Sequence, residues 1–417
     1  LISLATLNFE YFIAKRIIGT KSYKSSISAP IIKIGITAIA IGIIVMLIAI
    51  ATGTGLQQKI RDKAVAFNGH ITVSNFDSNR SEESQVPVSL DEEFYSKVLN
   101  IEGVTHFQAV AAKFGIIRTE NDFEGVVMKG VGNDYDWQYF KEFLVDGTLP
   151  SYEKGTNNDV LISQYLVNRL DLTVGSSFQM FFMKNEGNQV PSIRKFNIVG
   201  VFNSGFQELD ETYFIGDIKH VQRLNKWKSE EVGNFEVFIR DHSDLTVIAE
   251  EIYKNTPSHM NTTTVAEKYA SIFEWISIFD NNTNGIILIM IFVAGINMIT
   301  VLLVLILERT PMIGLLKALG ARNFSLRKLF LYNASYLILL GMFWGNLIGL
   351  GLLYVQQQFG LFPLNPDVYY VTQVPVNITF THVIMLNLGT FSLCLLMLFI
   401  PSIVISRISP IRAMRFD

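Results

Sequence analysis

The chain has 417 residues, 49% of them hydrophobic and 17% charged, with a formal net charge of −3 and a mean hydropathy of +0.32. That apolar excess is larger than a soluble globule of this size carries, the charge is of the wrong sign for a nucleic-acid binder, and a single cysteine, Cys394, excludes a disulfide framework.

Residues 7–18, LNFEYFIAKRII, put Phe9, Phe12, Ile13 and Ile17 on one helical side with Lys15 and Arg16 at the end, as in a helix lying in the membrane interface. Residues 1–30 are therefore expected as an inner-side segment. The run IGITAIAIGIIVMLIAIA (34–51) fills a first span over 31–52, long enough at ~1.5 Å per residue to cross ~30 Å of hydrocarbon. About thirty residues precede it and no A-x-A site follows, so it reads as an uncleaved anchor. Ala38 and Gly42 offer a small-residue face for helix packing. GLQQKIRDKAVAFNG (55–69) stays helical in character, so the first span is expected to project past the bilayer as a stalk.

Residues 53–284 carry 33 acidic against 21 basic residues, which fits a solvated domain. Residues 70–76, 107–119, 123–132, 177–183, 194–202 and 234–241 are β-rich runs bounded by Gly, Asn and Asp. Residues 89–103, 159–172 and 217–227 read as amphipathic helices, the first with Ser89 as N-cap and Glu92 three places on. An α+β domain in two lobes, split near the polar stretch 77–88, is expected. Within it, EGNQVPSIR (186–194) reads as a hairpin loop in which Gly187 and Pro191 set the turn and Val190 and Ile193 offer apolar contact. On the return side, Val265, Ile272, Phe273, Ile276 and Phe279 form one stripe of a second stalk.

A second span covers 285–307, a third 331–355 and a fourth 383–405, leaving an outer loop at 356–382 and a tail at 406–417. Lys15, Arg16, Lys21 and Lys24 precede span one, Arg309, Lys317, Arg322, Arg327 and Lys328 follow span two, and Arg407, Arg412 and Arg415 end the chain, whereas 359–379 has no Lys or Arg. The positive-inside rule then places both termini and the 308–330 loop in the cytoplasm and 53–284 outside. That loop opens with ERTPMIGLLKALGA (308–321). Pro311 suits a first helical turn, Met312, Leu315, Leu316 and Leu319 line one face, and Gly320 supplies a left-handed stop. Such a helix either rests on the membrane surface or plugs a groove on another protein. In span three, Gly341, Gly345 and Gly349 share a face that admits a close neighbour, packing within the subunit being favoured over a dimer interface.

No G-x-x-x-x-G-K-[ST] motif is present; GTKS (19–22) lacks the Gly–Lys pair. The six histidines have no metal-ligand spacing and no Ser or Cys lies in a nucleophile motif, so neither a catalytic nor a metal site is expected.

ERTPMIGLLKALGA resembles the coupling helix of ABC permeases of the lipoprotein-releasing, macrolide-exporter and cell-division type, and NFEYFIAKR (8–16), the large domain between spans one and two, and the ending SPIRAMRFD resemble the same superfamily. The resemblance implies a polytopic α-helical membrane protein of four transmembrane helices with a large α+β periplasmic domain inserted between helices 1 and 2, in a bacterial inner membrane. It assigns Glu308, Arg309, Met312, Ile313, Leu315, Leu316, Lys317, Leu319, Gly320 and Ala321 to coupling with a separate cytoplasmic ATPase, which would hold the ATP and Mg while this chain holds no cofactor.

Residues 178–215 look most like the lipoprotein-releasing permeases, whose hairpin before the strand that corresponds to 194–202 projects as a hook for a periplasmic lipoprotein chaperone. The hook candidates here are Gln189, Val190, Pro191, Ser192, Ile193 and Arg194. The resemblance further implies a second permease, identical or paralogous, membrane lipids, and lipoprotein acyl chains lying against Met46, Ile50, Phe273, Ile276 and Phe279. The alternatives it leaves are a macrolide or peptide exporter docking a periplasmic adaptor and a signalling permease that activates a cell-wall hydrolase.

Overall fold

The computed structural model describes residues 29–76, 85–89, 91–120, 122–138, 140–153, 155–183, 190–365, 369 and 371–407. The interfacial helix expected over 7–18, most of the tail and Gln189 lie outside them. In chain order, α1 (Ala29–Asn68) leads into β1 (Ile71–Asn75), β2 (Val88–Ser89), α2 (Glu92–Leu99), β3 (Val104–Arg118), β4 (Phe123–Val131), β5 (Leu144–Gly147) and β6 (Asp159–Ser163). There follow α3 (Gln164–Leu170), β7 (Ser177–Phe182), β8 (Ser192–Phe202), α4 (Gln207–Thr212), β9 (Tyr213–Asp217), α5 (Ile218–Asn225), β10 (Glu231–Val232) and β11 (Asn234–Ile239). The chain then forms α6 (Leu245–Asn255), β12 (Met260–Thr264), α7 (Val265–Lys268), α8 (Ala270–Glu308), α9 (Thr310–Ala318), α10 (Asn323–Phe359), α11 (Phe380–Ser402) and α12 (Val404–Arg407).

Two compact units result, one built on residues up to Gln57 with Ile276–Pro363 and Gln373 onward, the other on Gln58–Trp275 with Leu364–Thr372. In the first unit α1, α8, α10 and the α11 region are each long and apolar enough to cross a membrane. Their shared core includes Ile39, Ile43, Leu302, Phe330 and Ile338, while Ile41, Leu288, Ile289, Phe292 and Leu347 face outward, as lipid-facing side chains do.

The second unit is organised by β3. Fifteen residues long, it pairs antiparallel with β11 on one side and β4 on the other, and its last residues, Ile116–Arg118, also pair with β7. The run β12–β1–β11–β3 is an open antiparallel half; β3, β4, β9, β6, β8 and β7 return to β3 through successive pairings. The two halves thus share a strand, and the expected split near 77–88 is corrected: Val88–Ser89, at the end of that stretch, pairs back onto β10, in the same compact unit. Alternation along β7 and β8 buries Phe178, Phe196 and, from β9, Phe214, whose rings lie 5.7–5.8 Å apart.

Two helix expectations also change. Ser89 is in a strand, and Asp91 is the N-cap of α2, its carboxylate accepting from Glu93 N at 3.1 Å. Residues 159–172 are a strand and then a helix: Val160 and Ile162 are β-branched and buried, β6 runs parallel to β8, and Ser163 ends the strand by capping α3 through Leu166 N.

Candidate functional site

Helix α9 begins with Pro311 in its first turn and ends before Gly320, whose φ of +92° is a left-handed conformation that glycine adopts without strain. Ala321 N then donates to Leu316 O at 2.9 Å and satisfies one of the last carbonyls. The apolar residues divide between two sides. Ile313 is fully buried and Met312, Leu316 and Ala321 pack half-buried against the transmembrane core, whereas Leu315 is 53% and Leu319 77% exposed, with Phe324 of α10 73% exposed nearby in sequence. The face predicted from period therefore splits, Met312 and Leu316 turning inward with Ile313 and leaving Leu315 and Leu319 outward.

The inward side is clamped by charge. Lys317 Nζ donates to Ile405 O at 2.7 Å and Ser406 O at 3.3 Å, carbonyls of the final helical turn, and Arg327 of α10 donates through Nε to Ser406 Oγ at 3.1 Å. Among the described residues the buried Nε of Arg309 has no acceptor. Glu308 closes α8 and is exposed. Helix α9 is thus bonded to the final helical turn, which α10 also holds through Arg327.

The glycine track lies against span one. An added Cβ at Gly341 would stand 2.8 Å from Ile39 Cβ, at Gly345 2.7 Å from Ile43 Cβ and 2.8 Å from Ala40 O, and at Gly349 2.9 Å from Leu47 Cδ1. At the outer end of the same unit the loop before α11 is strapped to α1: Asn377 N donates to Ala51 O at 3.0 Å, and a Cβ on Gly55 would meet Pro375 O at 2.7 Å. Gln356 fixes that loop, donating to Val374 O and accepting from Phe362 N. Gln57 Nε2 donates to Asp280 Oδ1 at 2.8 Å, tying α1 to α8. Sequence reading missed the Lys317 clamp and this strap; the clustered glycines of ATGTG (51–55) were the available signal.

Of the acyl-contact candidates, Met46 is fully buried among the spans, Ile276 is buried and Ile50 and Phe279 half-buried. Phe273 packs on the ectodomain core, its ring 6.0 Å from that of His242. Met46 and Ile276 are thus interior, whereas Ile50, Phe273 and Phe279 keep part of their surface exposed. In the hairpin, Val190 is 80% and Ile193 48% exposed, Pro191, Ser192 and Arg194 are half-buried, and Ser192 is paired with Phe182 at its base. Arg194 Nη1 donates to Ile193 O at 3.1 Å. Among the described residues no cluster of His, Cys, Asp and Glu could hold a metal ion.

Among the described residues, four helices long and apolar enough to cross a membrane thus accompany an inserted α+β domain, with the clamped α9 between the second and third of them. The model of the MacB-like periplasmic core domain matches residues 34–254, and that of the FtsX-like permease C-terminal domain matches 284–410. The chain belongs to this family of MacB-like and FtsX-like permeases, inner-membrane proteins with a periplasmic segment.

It is 21% identical to the lipoprotein-releasing system transmembrane protein LolC of Xylella fastidiosa, an alignment covering 99% of this chain and 98% of that protein. It is 18% identical to the transmembrane protein LolE of the same system in Haemophilus influenzae, over 97% and 98%. The periplasmic region of MacB from Actinobacillus actinomycetemcomitans superposes with a TM-score of 0.33 at 16% identity, covering 48% of this chain and 91% of that one.

Proposed function

We propose that the chain is the transmembrane subunit of an ABC transporter that uses ATP hydrolysed on a separate cytoplasmic ATPase to extract lipoproteins from the inner membrane and pass them to a periplasmic chaperone. The observation that carries the ATPase half is α9: one side is held to the spans through Ile313 and Lys317, and the other presents Leu315 and Leu319. Both termini lie in the cytoplasm and 53–284 in the periplasm, consistent with the distribution of Lys and Arg. ATP and Mg bind on the ATPase, whose closure moves α9; the clamp and the glycine track carry that movement into the spans.

The lipoprotein half rests on near full-length similarity to LolC and LolE proteins and on the exposed hairpin. Moving an acyl chain out of lipid costs about 0.8 kcal/mol per methylene, so the step needs both ATP and an apolar acceptor. Val190 and Ile193 are the hairpin's apolar contacts for that chaperone, and a second permease, identical or paralogous, completes the membrane cavity. Of the acyl-contact residues Met46, Ile50, Phe273, Ile276 and Phe279, the buried Met46 reaches an acyl chain only after the spans separate. Unchanged lipoprotein release after Phe273→Ser and Ile276→Ser would remove them from the path.

Two experiments test the halves separately. Leu315→Ser with Leu319→Ser is expected to abolish co-purification of the ATPase with no change in thermal melting; retained ATPase would overturn the coupling assignment. Photo-crosslinkers at Val190 and Ile193 in native membranes are expected to capture a small soluble lipoprotein carrier. Capture of a tripartite adaptor or a wall hydrolase would replace the lipoprotein reading and leave the coupling intact.

A further inference from the structure

The last turn of α1 ends inside the ectodomain, on a buried charge. Lys129 of β4 and Glu236 of β11 form an ion pair at 2.6 Å with side chains only 7% and 3% exposed. Lys129 Nζ also donates to Phe67 O, one of the C-terminal carbonyls that an α-helix leaves without an internal partner. Gln108 of β3 donates to the other oxygen of Glu236 at 2.8 Å. Three neighbouring strands of the sheet thus each supply one polar group, and together they grip the end of one helix.

The same end is held laterally. The Phe67 ring sits 4.8 Å from Phe140, 5.7 Å from Phe202 and 6.4 Å from Phe143, an aromatic socket. Asn68 donates to Tyr269 OH at 2.8 Å and accepts from Lys268 Nζ at 2.7 Å, so the helix end is also joined to the segment that starts the return helix. The cleft beside the pair, about 30 Å³, holds no more than about two waters and is no ligand site.

A buried ion pair is poor value for stability, since apolar side chains of the same volume do as well or better. What it supplies is direction: the cation must lie on the helix axis end, and the carboxylate must lie behind it in the sheet. Glu236 and Gln108 fix the position of Lys129, and Lys129 fixes the position of the Phe67 carbonyl.

We propose that Lys129, held by Glu236 and Gln108, is the positioning residue that makes the end of α1 and the ectodomain sheet move as one body when the spans are displaced. This rests on the reading of the chain as an ATP-driven permease. The pair transmits both push and pull, because the ammonium resists withdrawal of the carbonyl and the aromatic socket resists its advance.

The test uses the full chain with its co-purified ATPase in nanodiscs, spin-labelled at two exposed positions, Asp62→Cys on α1 and Phe123→Cys on β4, with buried Cys394 as the one native cysteine. Native pairing is expected to give one narrow distance population with or without ATP and vanadate. Lys129→Met with Glu236→Leu removes both charges together, leaves no lone buried ion, and is expected to add a second population on nucleotide binding and to lower lipoprotein released per ATP roughly tenfold. Lys129→Glu with Glu236→Lys keeps an ion pair but turns a carboxylate toward the Phe67 carbonyl, and is expected to behave like the apolar variant; rescue by this swap would reduce the pair to a structural one.

A single, nucleotide-independent population in the apolar variant overturns the proposal. Should that variant fail to assemble, Lys129→Gln with the same labels decides the same point. A native complex that hydrolyses ATP and releases no lipoprotein would overturn the release reading, and the distances would still decide the joint.

Discussion

Where α10 meets α1, the side chains that would hold two helices apart are missing, whereas where α1 ends against the ectodomain sheet a full charge is buried. The difference follows from the two solvents. Lipid gives apolar side chains no reason to prefer each other, so helices are joined by close approach at glycine. In water the sheet already buries a large apolar core, and a polar cluster can be carried if each lone pair and proton has a partner. Contact is set by absence of atoms in one unit and by completeness of hydrogen bonding in the other.

The largest expected effect comes from breaking that completeness. Glu236→Ala removes the carboxylate behind Lys129 and is expected to cost about 3–5 kcal/mol, read as a fall in the denaturation midpoint of the purified protein. A loss below about 1 kcal/mol would mean that water reaches the pair and that the comparison is wrong. Next comes Gly345→Leu. Its Cβ would meet Ile43 Cβ at 2.7 Å and the Ala40 carbonyl at 2.8 Å, and a backbone carbonyl cannot turn aside, so a loss of about 1–3 kcal/mol is expected in a detergent melt. Gly351 has nothing within 4 Å of an added Cβ, and Gly351→Ala is expected to stabilise α10 by up to about 1 kcal/mol. A gain at both glycines would show that helix propensity, not proximity, decides.

Acid provides a smaller effect confined to the ectodomain. His70 follows the end of α1 and accepts from Ile239 N through Nδ1 at 3.3 Å, with the His242 ring 6.0 Å away. Burial, and secondarily His242, hold its pKa down at about 4 against 6.5 for the free side chain. The unfolded chain therefore takes up a proton first as pH falls, so stability is flat above about 6.5 and declines between there and about 4. At pH 5.5 the loss is on the order of 1 kcal/mol. His70→Gln is expected to flatten that part of the pH profile; an unchanged profile would assign the acid sensitivity to other groups.

Period and composition made the spans and most strands legible, and the errors lie where a second signal competes. DVLIS fits an amphipathic helix when read with the residues after it, but as a continuous buried run ending in a cap it belongs to a parallel strand. On α9 the i, i+3, i+4 rule selected Met312 and Leu316 together with Leu315 and Leu319, and missed that Ile313, on the other side of the first pair, would draw them inward. The joint is invisible to local reading because Lys129 and Glu236 are 107 residues apart. The trace it leaves is one charge at a buried position in each of two apolar strands, FEGVVMKGV and NFEVFI. A pattern that assigns charges to the solvent face has no place for such residues, and the two have opposite signs.

The smallest effect is expected from the polar contact that the membrane unit does contain. Asn346 of α10 and Asn387 of α11 exchange amide hydrogen bonds, at 2.7 Å and 3.0 Å, between spans three and four. Each side-chain NH₂ also donates to the carbonyl one turn earlier in its own helix, Met342 O and Val383 O, both at 2.7 Å. Removing one asparagine therefore leaves the other with a partner, unlike Lys129 without Glu236. Asn387→Leu is expected to cost about 0.6 kcal/mol, the usual size of an interhelical hydrogen bond in a membrane, and the double Asn346→Leu, Asn387→Leu change little more. A double-mutant cycle on melting in detergent measures it. A coupling above about 2 kcal/mol would place span three and span four under polar control as well, and glycine contact would then govern only the side of α10 that faces α1.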